Sequence, residues 1–210
     1  MTQIAIDGPA ASGKTSLGRS LARHFGFLFV ETGKMYRAVA LGFDRGLSID
    51  EVHVTMNADG RILLNGEDVS DILHTPQLDQ GSSRVATRPE VRELLVRLQQ
   101  QIAAGRDVVM EGRDIGTIVL PHADVKIFLA ASAEERARRR AKERNQSKLD
   151  QTLREIVTRD TRDQTRTIAP LKPASDAIII RTDNKSLAEV ISEAIALVEE
   201  RLHTGEQAAK

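Results

Sequence analysis

Lys14 and Thr15 close the stretch Gly8-Pro9-Ala10-Ala11-Ser12-Gly13-Lys14-Thr15, which matches G-x-x-x-x-G-K-[ST] at every fixed position. Each fixed residue type answers a demand of phosphate chemistry. Glycine lets the backbone curl tightly and approach phosphate oxygens. The curled N–H groups and the dipole of the following helix attract anions. The Lys14 ammonium supplies a mobile positive charge for the outer phosphates, and the Thr15 hydroxyl is a hard oxygen ligand suited to Mg²⁺. The competing reading is a glycine-rich turn that matches by chance. The setting weighs against it, because the apolar run Ile4-Ala5-Ile6 precedes the loop and residues 15–25 read as a helix. Residues Gly8 to Thr15, with Pro9, Ala10, Ala11, Ser12, Gly13 and Lys14 between them and Ser16 adjoining, are candidates for holding a nucleotide's phosphates.

The remaining candidates are mostly arginines. Arg37 follows Thr32 in a helix that begins after the apolar run 27–30. Ligands of open parallel sheets sit beyond the strands' carboxyl ends, so Thr32 and Arg37 share a rim with the phosphate loop; otherwise Arg37 is a solvated helix arginine. Thr32 is also placed to cap that helix. Ser83, Arg84, Arg88 and Arg92 gather at the join of two expected helices, either as a polar helix end or as phosphate and base contacts. Gly112-Arg113-Asp114-Ile115-Gly116-Thr117 follows a buried run, 107–111. A charged pair between glycines gains little from packing, whereas an acceptor site needs close approach with one donor and one acceptor. Between Glu134 and Arg166 stand eleven Lys/Arg and seven Asp/Glu, a local excess of four positives. This segment reads as two polar helices, 133–144 and 149–161, with Ser132 and Glu135 as a capping box and Leu153, Ile156 and Val157 inward. Residues 145–148 read as the loop at their tip. Such a pair can fold over a polyphosphate as a lid; the alternatives are a solvated salt-bridged hairpin or an RNA-binding patch. Interleaved aspartates and the lack of stacking aromatics weigh against RNA.

These groups need a scaffold, and the chain supplies apolar runs of buried parallel strand type at 4–6, 27–30, 107–111, 125–129 and 177–180, separated by helical patterns. The expectation is one α/β domain, a five-stranded parallel sheet of P-loop NTPase type with helices on both faces. A small antiparallel insertion is expected at 50–70, where Asn65-Gly66 is a strong hairpin signal, followed by helices at 75–85 and from Pro89 to about 104. Its His53, and His74 beyond it, read as surface residues. The parts are a core (1–49, 105–132, 167–204), an insertion region (about 50–104) and a lid (about 133–166). The 210 residues balance 30 Lys/Arg against 30 Asp/Glu, which argues against a general polyanion binder, and they lack cysteine, which excludes disulfides and thiolate metal sites. No run approaches the roughly 18 apolar residues of a membrane helix, and the chain opens directly on a strand. A cytoplasmic monomer binding no nucleic acid and no membrane is expected, with a frayed end at 204–210.

Phosphoryl transfer needs mainly positioning and charge neutralisation, and bidentate arginines suit an acceptor phosphate, which would account for Arg37, Arg113 and Arg166. A GTPase would need Asn-Lys-x-Asp, but Leu187 stands where Asn184-Lys185 would require aspartate. A nucleotide-dependent nucleic-acid binder and a kinase of a shikimate- or gluconate-like metabolite remain as rivals. Several segments resemble bacterial cytidylate kinases: Glu31-Thr32-Gly33 with Met35-Tyr36-Arg37, Gly112 to Thr117, Lys126 to Leu129 followed by Ser132 to Arg136, and Arg159-Asp160-Thr161-Arg162-Asp163 through Leu171. The resemblance runs from about residue 3 to residue 202. It implies transfer of the ATP γ-phosphate to CMP or dCMP, with tolerance for UMP open and Mg²⁺ as the cofactor, held at Thr15. It further implies that Thr32, Ser83, Arg92 and Asp114 line the cytosine site, Arg37, Arg113 and Arg166 hold the acceptor phosphate, and Arg159 and Asp163 contact the ribose. Lys14, Arg113, Arg162 and Arg166 are the expected catalytic set. The insertion becomes the monophosphate-binding region. Glu31 departs from the family's usual aspartate, and the insertion is shorter than in some members.

Overall fold

Unbroken apolar runs make strands that are buried on both faces, and here they build one sheet. The computed structural model describes residues 1–144 and 148–208. The expected tip loop therefore lies outside the described residues except for Lys148, as do Ala209 and Lys210. The parallel strands are β1 (Gln3–Asp7), β2 (Leu28–Glu31), β6 (Val108–Gly112), β7 (Val125–Ala130) and β8 (Ile178–Arg181), in the order β2-β6-β1-β7-β8. Alternation divides their side chains. Ile4, Ile6, Val109, Ile127 and Leu129 pack with Leu17 and Leu21 of α1 (Lys14–Phe25) and with Val190, Ala194 and Val198 of α7 (Leu187–Ala208). Ala5, Val30, Val108 and Met110 face the other way, onto Met35 and Val39 of α2 (Thr32–Asp44), Leu78 of α3 (Pro76–Val85) and Val91 and Leu95 of α4 (Pro89–Ala103). Both layers expected from sequence are present.

The insertion is the expected meander, β3 (Val54–Met56), β4 (Ile62–Leu64) and β5 (Glu67–Asp68), all antiparallel. Asn65 and Gly66 both take positive φ, 50° and 85°, as the two-residue hairpin turn requires. Two further helices, α5 (Ala133–Glu143) and α6 (Leu149–Thr165), form the expected polar pair.

Four local expectations are corrected. Thr32 is the first residue of α2 rather than its cap, because its hydroxyl donates to the Glu111 carbonyl at 2.8 Å. The capping box is half formed: Ser132 Oγ accepts from the Glu135 N–H at 3.3 Å, but the Ser132 N–H donates to Asp183 and Glu135 turns to Arg138 and Arg139. Val157 faces outward; α6 instead buries Thr152, Ile156, Asp160 and Asp163, since polar residues have charged partners beneath it. Residues 204–208, for which no element was expected, continue α7 as helix, and the rest of that expected tail lies outside the described residues.

Gly112 to Thr117, read as a glycine-flanked loop, runs into a π turn, Ile115–Val119, closed by Val119 N–H to Asp114 O at 3.2 Å and Leu120 N–H to Ile115 O at 2.7 Å. Such turns concentrate at functional sites because the extra residue re-aims its neighbours.

Candidate active site

Parallel register brings acids to one rim: Glu31 pairs with Glu111, and Asp7 stands one residue further on, beside Gly112. Above them lies a cavity of about 400 Å³, a size suited to a small-molecule ligand. The phosphate loop forms one wall. Gly8, at φ 150°, is packed so closely under β7 that a Cβ would lie 2.5 Å from the Leu129 carbonyl oxygen. Ala11 holds φ 57°, a left-handed conformation that costs an alanine roughly 1–2 kcal/mol and marks a loop fixed by its surroundings. Lys14 Nζ donates to the Pro9 carbonyl at 2.7 Å and lies 3.4 Å from Ser12 Oγ. Burial, then the Arg113 and Arg159 guanidiniums, push Lys14 down to about 7, against the pull of Glu111 and Asp7. Asp7 is pushed up to about 7, chiefly by burial, although both its oxygens accept backbone N–H groups, from Ile115 and Gly116 at 2.8 Å each. Its carboxylate thereby ties the phosphate loop's strand to the π turn.

The opposite wall is built from separate elements. Thr32, Arg37, Ser83, Arg113, Asp114, Arg159, Asp163 and Arg166 all line the cavity. Thr32 is held there by glycine: a Cβ on Gly112 would lie 2.7 Å from Thr32 Oγ1 and from Ile115 Cδ1. Arg37 donates Nε to Asp79 at 3.0 Å and Nη1 to Glu31 at 3.3 Å, so the longer acid at position 31 reaches the arginine. Asp163 accepts from Ser83 Oγ at 3.0 Å and Arg113 Nε at 2.9 Å, with Arg159 Nε at 3.9 Å. Burial works against that carboxylate's charge, but Arg113 and Arg159 outweigh it and hold it below its ordinary range. Arg159, crowded by burial and by Arg113, is pushed down to about 10. Asp114 is shared between Arg92 Nη2 and Arg166 Nη2, the latter at 3.4 Å, and Arg92 Nη1 lies 3.4 Å from the Tyr36 hydroxyl.

Not every expected residue reaches the cavity. Arg92 sits behind Asp114, Gly8 and Pro9 lie under the loop, and Arg162 donates to Gln80 Oε1 at 3.5 Å instead of lining the wall. At the join of α3 and α4, Ser83 and Arg92 are buried while Arg84 and Arg88 point to solvent, so the polar helix end of the sequence reading holds for the second pair, and of the first pair Ser83 alone lines the cavity. His53 and His74 are exposed, although His74 borders the cavity.

Three positions that contact the site's residues escaped the sequence reading. Glu111 accepts the Thr15 hydroxyl at 3.0 Å; a carboxylate ending an apolar strand was its signal. Arg136 donates to the Ala10 carbonyl at 3.2 Å and pairs with Asp160 at 2.6 Å, tying the loop to α6. Asp79 gathers Arg37, Arg140 and Arg144, and nothing in the local sequence announced it.

A family model described as cytidylate kinase matches residues 4–200. The chain belongs to the cytidylate kinase family. Curated members bearing that name include one from Thermotoga neapolitana, 43% identical with 95% of this chain and 98% of the relative covered. Another, from Pelotomaculum thermopropionicum, is 44% identical over 93% of this chain and 95% of its own. Family membership makes the chain a nucleoside monophosphate kinase that carries out ATP-dependent phosphoryl transfer. Among solved structures, a gluconokinase from Sinorhizobium meliloti superposes with TM-score 0.54 at 16% identity, covering 98% of this chain and 97% of that one. A shikimate kinase from Bacteroides thetaiotaomicron gives 0.55 at 15%, covering 94% and 98%. At such identities the likeness speaks for the shared P-loop kinase fold alone. Among the described residues, no helix is long and apolar enough to cross a membrane.

Proposed function

We propose that this chain transfers the γ-phosphate of ATP to CMP or dCMP, giving ADP and the pyrimidine diphosphate. The observation that carries the reading is Asp114, which lines the cavity with the phosphate loop and is held between Arg166, also on the cavity wall, and Arg92 behind it. The cytosine amino group donates, and the Asp114 carboxylate has lone pairs left to accept it beyond its arginine contacts. A uracil presents an acceptor there and meets a carboxylate instead of a donor. Arg92 and Tyr36 act from behind by fixing the Asp114 plane.

The donor's phosphates lie on the backbone of residues 8–16, with Lys14 at the outer phosphates. Arg37, Arg113 and Arg166 hold the acceptor phosphate, and Arg159 and Asp163 take the ribose. Lys14, Arg113 and Arg166 neutralise the charge that spreads over the transferring group, the main catalytic demand of this reaction. Arg162 contributes through Gln80. Among the described residues no group of three or more His, Asp or Glu could hold a metal alone, which suits an ion that is shared with ATP. The Thr15 hydroxyl and the Glu111 carboxylate offer the oxygen donors Mg²⁺ prefers and are the residues that would hold it. Bound there, the ion neutralises phosphate oxygens. Residues 133–166 act as a lid that keeps water from the donor, and residues 50–104 as the monophosphate-binding region. We place the protein in the cytoplasm as a monomer acting on small nucleotides; the cysteine-free composition is compatible with a reducing compartment, and zero net charge weighs against a general polyanion binder.

The test is ADP release coupled to a reporter reaction, with CMP, dCMP, UMP, AMP, GMP and shikimate as acceptors. CMP and dCMP are expected to give the highest kcat/KM. Preference for AMP or shikimate contradicts the assignment.

A further inference from the structure

Asp79 has no place in the nucleotide contacts above, yet its carboxylate accepts from three arginines. It stands in the first turn of α3, its side chain only 7% exposed. One oxygen accepts Arg37 Nε at 3.0 Å; the other accepts Arg144 Nη2 at 2.6 Å and Arg140 Nη2. Arg37 belongs to α2 on the acceptor side, while Arg140 and its neighbour Arg144 stand at the end of α5 in the helical pair. A single carboxylate therefore joins three elements that the backbone does not otherwise tie together at this point. Burial opposes its charge, but Arg37, Arg140, Arg159 and Arg144 outweigh burial and hold it below the usual carboxylate range. Arg140 and Arg144 have further partners, Glu143 at 3.1 Å and Glu155 at 3.4 Å, both within the helical pair. Among the described residues, only Asp79 links them to the acceptor side.

We infer that Asp79 is a positioning residue, the catch on which the helical pair closes, so that closure and the aim of Arg37 are set by the same carboxylate. The inference rests on the kinase reading of the cavity. When Arg140 and Arg144 arrive on Oδ2, the carboxylate plane is fixed, and with it the Nε–Oδ1 bond that orients Arg37. With Nη1 committed to Glu31, Arg37 has one remaining nitrogen, Nη2, for a phosphate oxygen, and its direction is then determined. An error of about 1 Å in such an aim costs roughly a hundredfold in rate.

The experiment uses the full chain, which carries no native cysteine, so that two introduced at exposed positions, Gln77→Cys on α3 and Lys142→Cys on α5, accept a fluorescent donor–acceptor pair. Transfer efficiency is read with the dead-end pair ADP plus CMP, and turnover with ATP plus CMP. Asp79→Asn keeps the size and removes the charge. It is expected to lower kcat tenfold to a hundredfold with KM for CMP changed less than threefold, and to lower the transfer efficiency. Asp79→Glu is expected to recover part of both. The double variant Arg140→Gln, Arg144→Gln attacks the same catch from the exposed helix. Combined with Asp79→Asn it is expected to add little, as residues acting through one network do. Unchanged transfer efficiency and kcat within twofold of the parent in either variant overturn the inference, as do fully additive losses or a fall in thermal stability alone. If the parent chain itself transfers no phosphate to CMP, the kinase reading fails instead, and the distance measurement still reports on the catch.

Discussion

The two walls of the cavity are built on opposite plans. The donor wall is one stretch, residues 8–16, in which, on the proposed function, backbone N–H groups and a single ammonium would do the binding. Its shape is held by local rules: left-handed Ala11, Gly8 pressed under β7, and a helix starting at Lys14. The acceptor wall draws Thr32 and Arg37 from α2, Ser83 from α3, Asp114 from the π turn, and Asp163 and Arg166 from α6 and its end. There the side chains hold one another, in carboxylate–guanidinium sets centred on Asp79, Asp114 and Asp163. A backbone site keeps its form when a side chain is changed. A mutual side-chain site loses aim and stability together.

Changes on each wall expose this contrast. The largest expected effect is at Lys14. Lys14→Ala should reduce kcat by about 10³-fold or more, since a cation facing the transferring group contributes on the scale of 10³–10⁵. Its melting temperature should stay near that of the parent, because the removed charge is disfavoured by burial; steady-state kinetics and calorimetry together check this. Arg166→Ala should cost roughly 10²- to 10³-fold in kcat/KM, and here stability should fall too, because Asp114 loses a partner. A large thermal loss with unchanged kinetics in the folded fraction would make Arg166 structural only. Arg92→Ala, which leaves the Asp114 carboxylate buried with one cation fewer, should cost about 3–5 kcal/mol of stability, measured by urea unfolding. The smallest effect is a proton balance. Lys14, pushed down to about 7, is largely neutral above that pH in the unliganded protein, and a polyphosphate favours its charged form. ATP binding between pH 7 and 9 should therefore take up a fraction of a proton, seen by calorimetry in buffers of different ionisation enthalpy. Lys14→Met should remove that uptake.

The same contrast explains what was legible in the chain. The loop and the five strands declared themselves because their signals are local: a fixed motif, and unbroken apolar runs that only two-sided burial explains. Gly112-Arg113-Asp114 was legible as a site because charge between glycines has no packing rationale, but its π turn was not, since the two i→i+5 bonds depend on Asp7 from another strand. Val157 was misread because helical periodicity marks apolar faces, whereas α6 turns Asp160 and Asp163 inward toward arginines distant in sequence. Asp79 was invisible for the same reason. Its meaning lies in Arg37, Arg140 and Arg144, up to 65 positions away.

The central claim is that the loop holds the donor while the scattered wall chooses the acceptor. The ratio of kcat/KM for CMP to that for UMP tests it most directly, measured in the parent, in Thr15→Ser on the loop and in Asp114→Asn on the opposite wall. Thr15→Ser, which keeps the hydroxyl, should change both rates only modestly and in parallel, leaving the ratio within about twofold. Asp114→Asn should collapse the ratio by at least about 10²-fold, part of the roughly 10⁴–10⁵-fold discrimination that a buried hydrogen-bonding reader can supply. A ratio that moves with Thr15 and stays fixed with Asp114 would contradict the account.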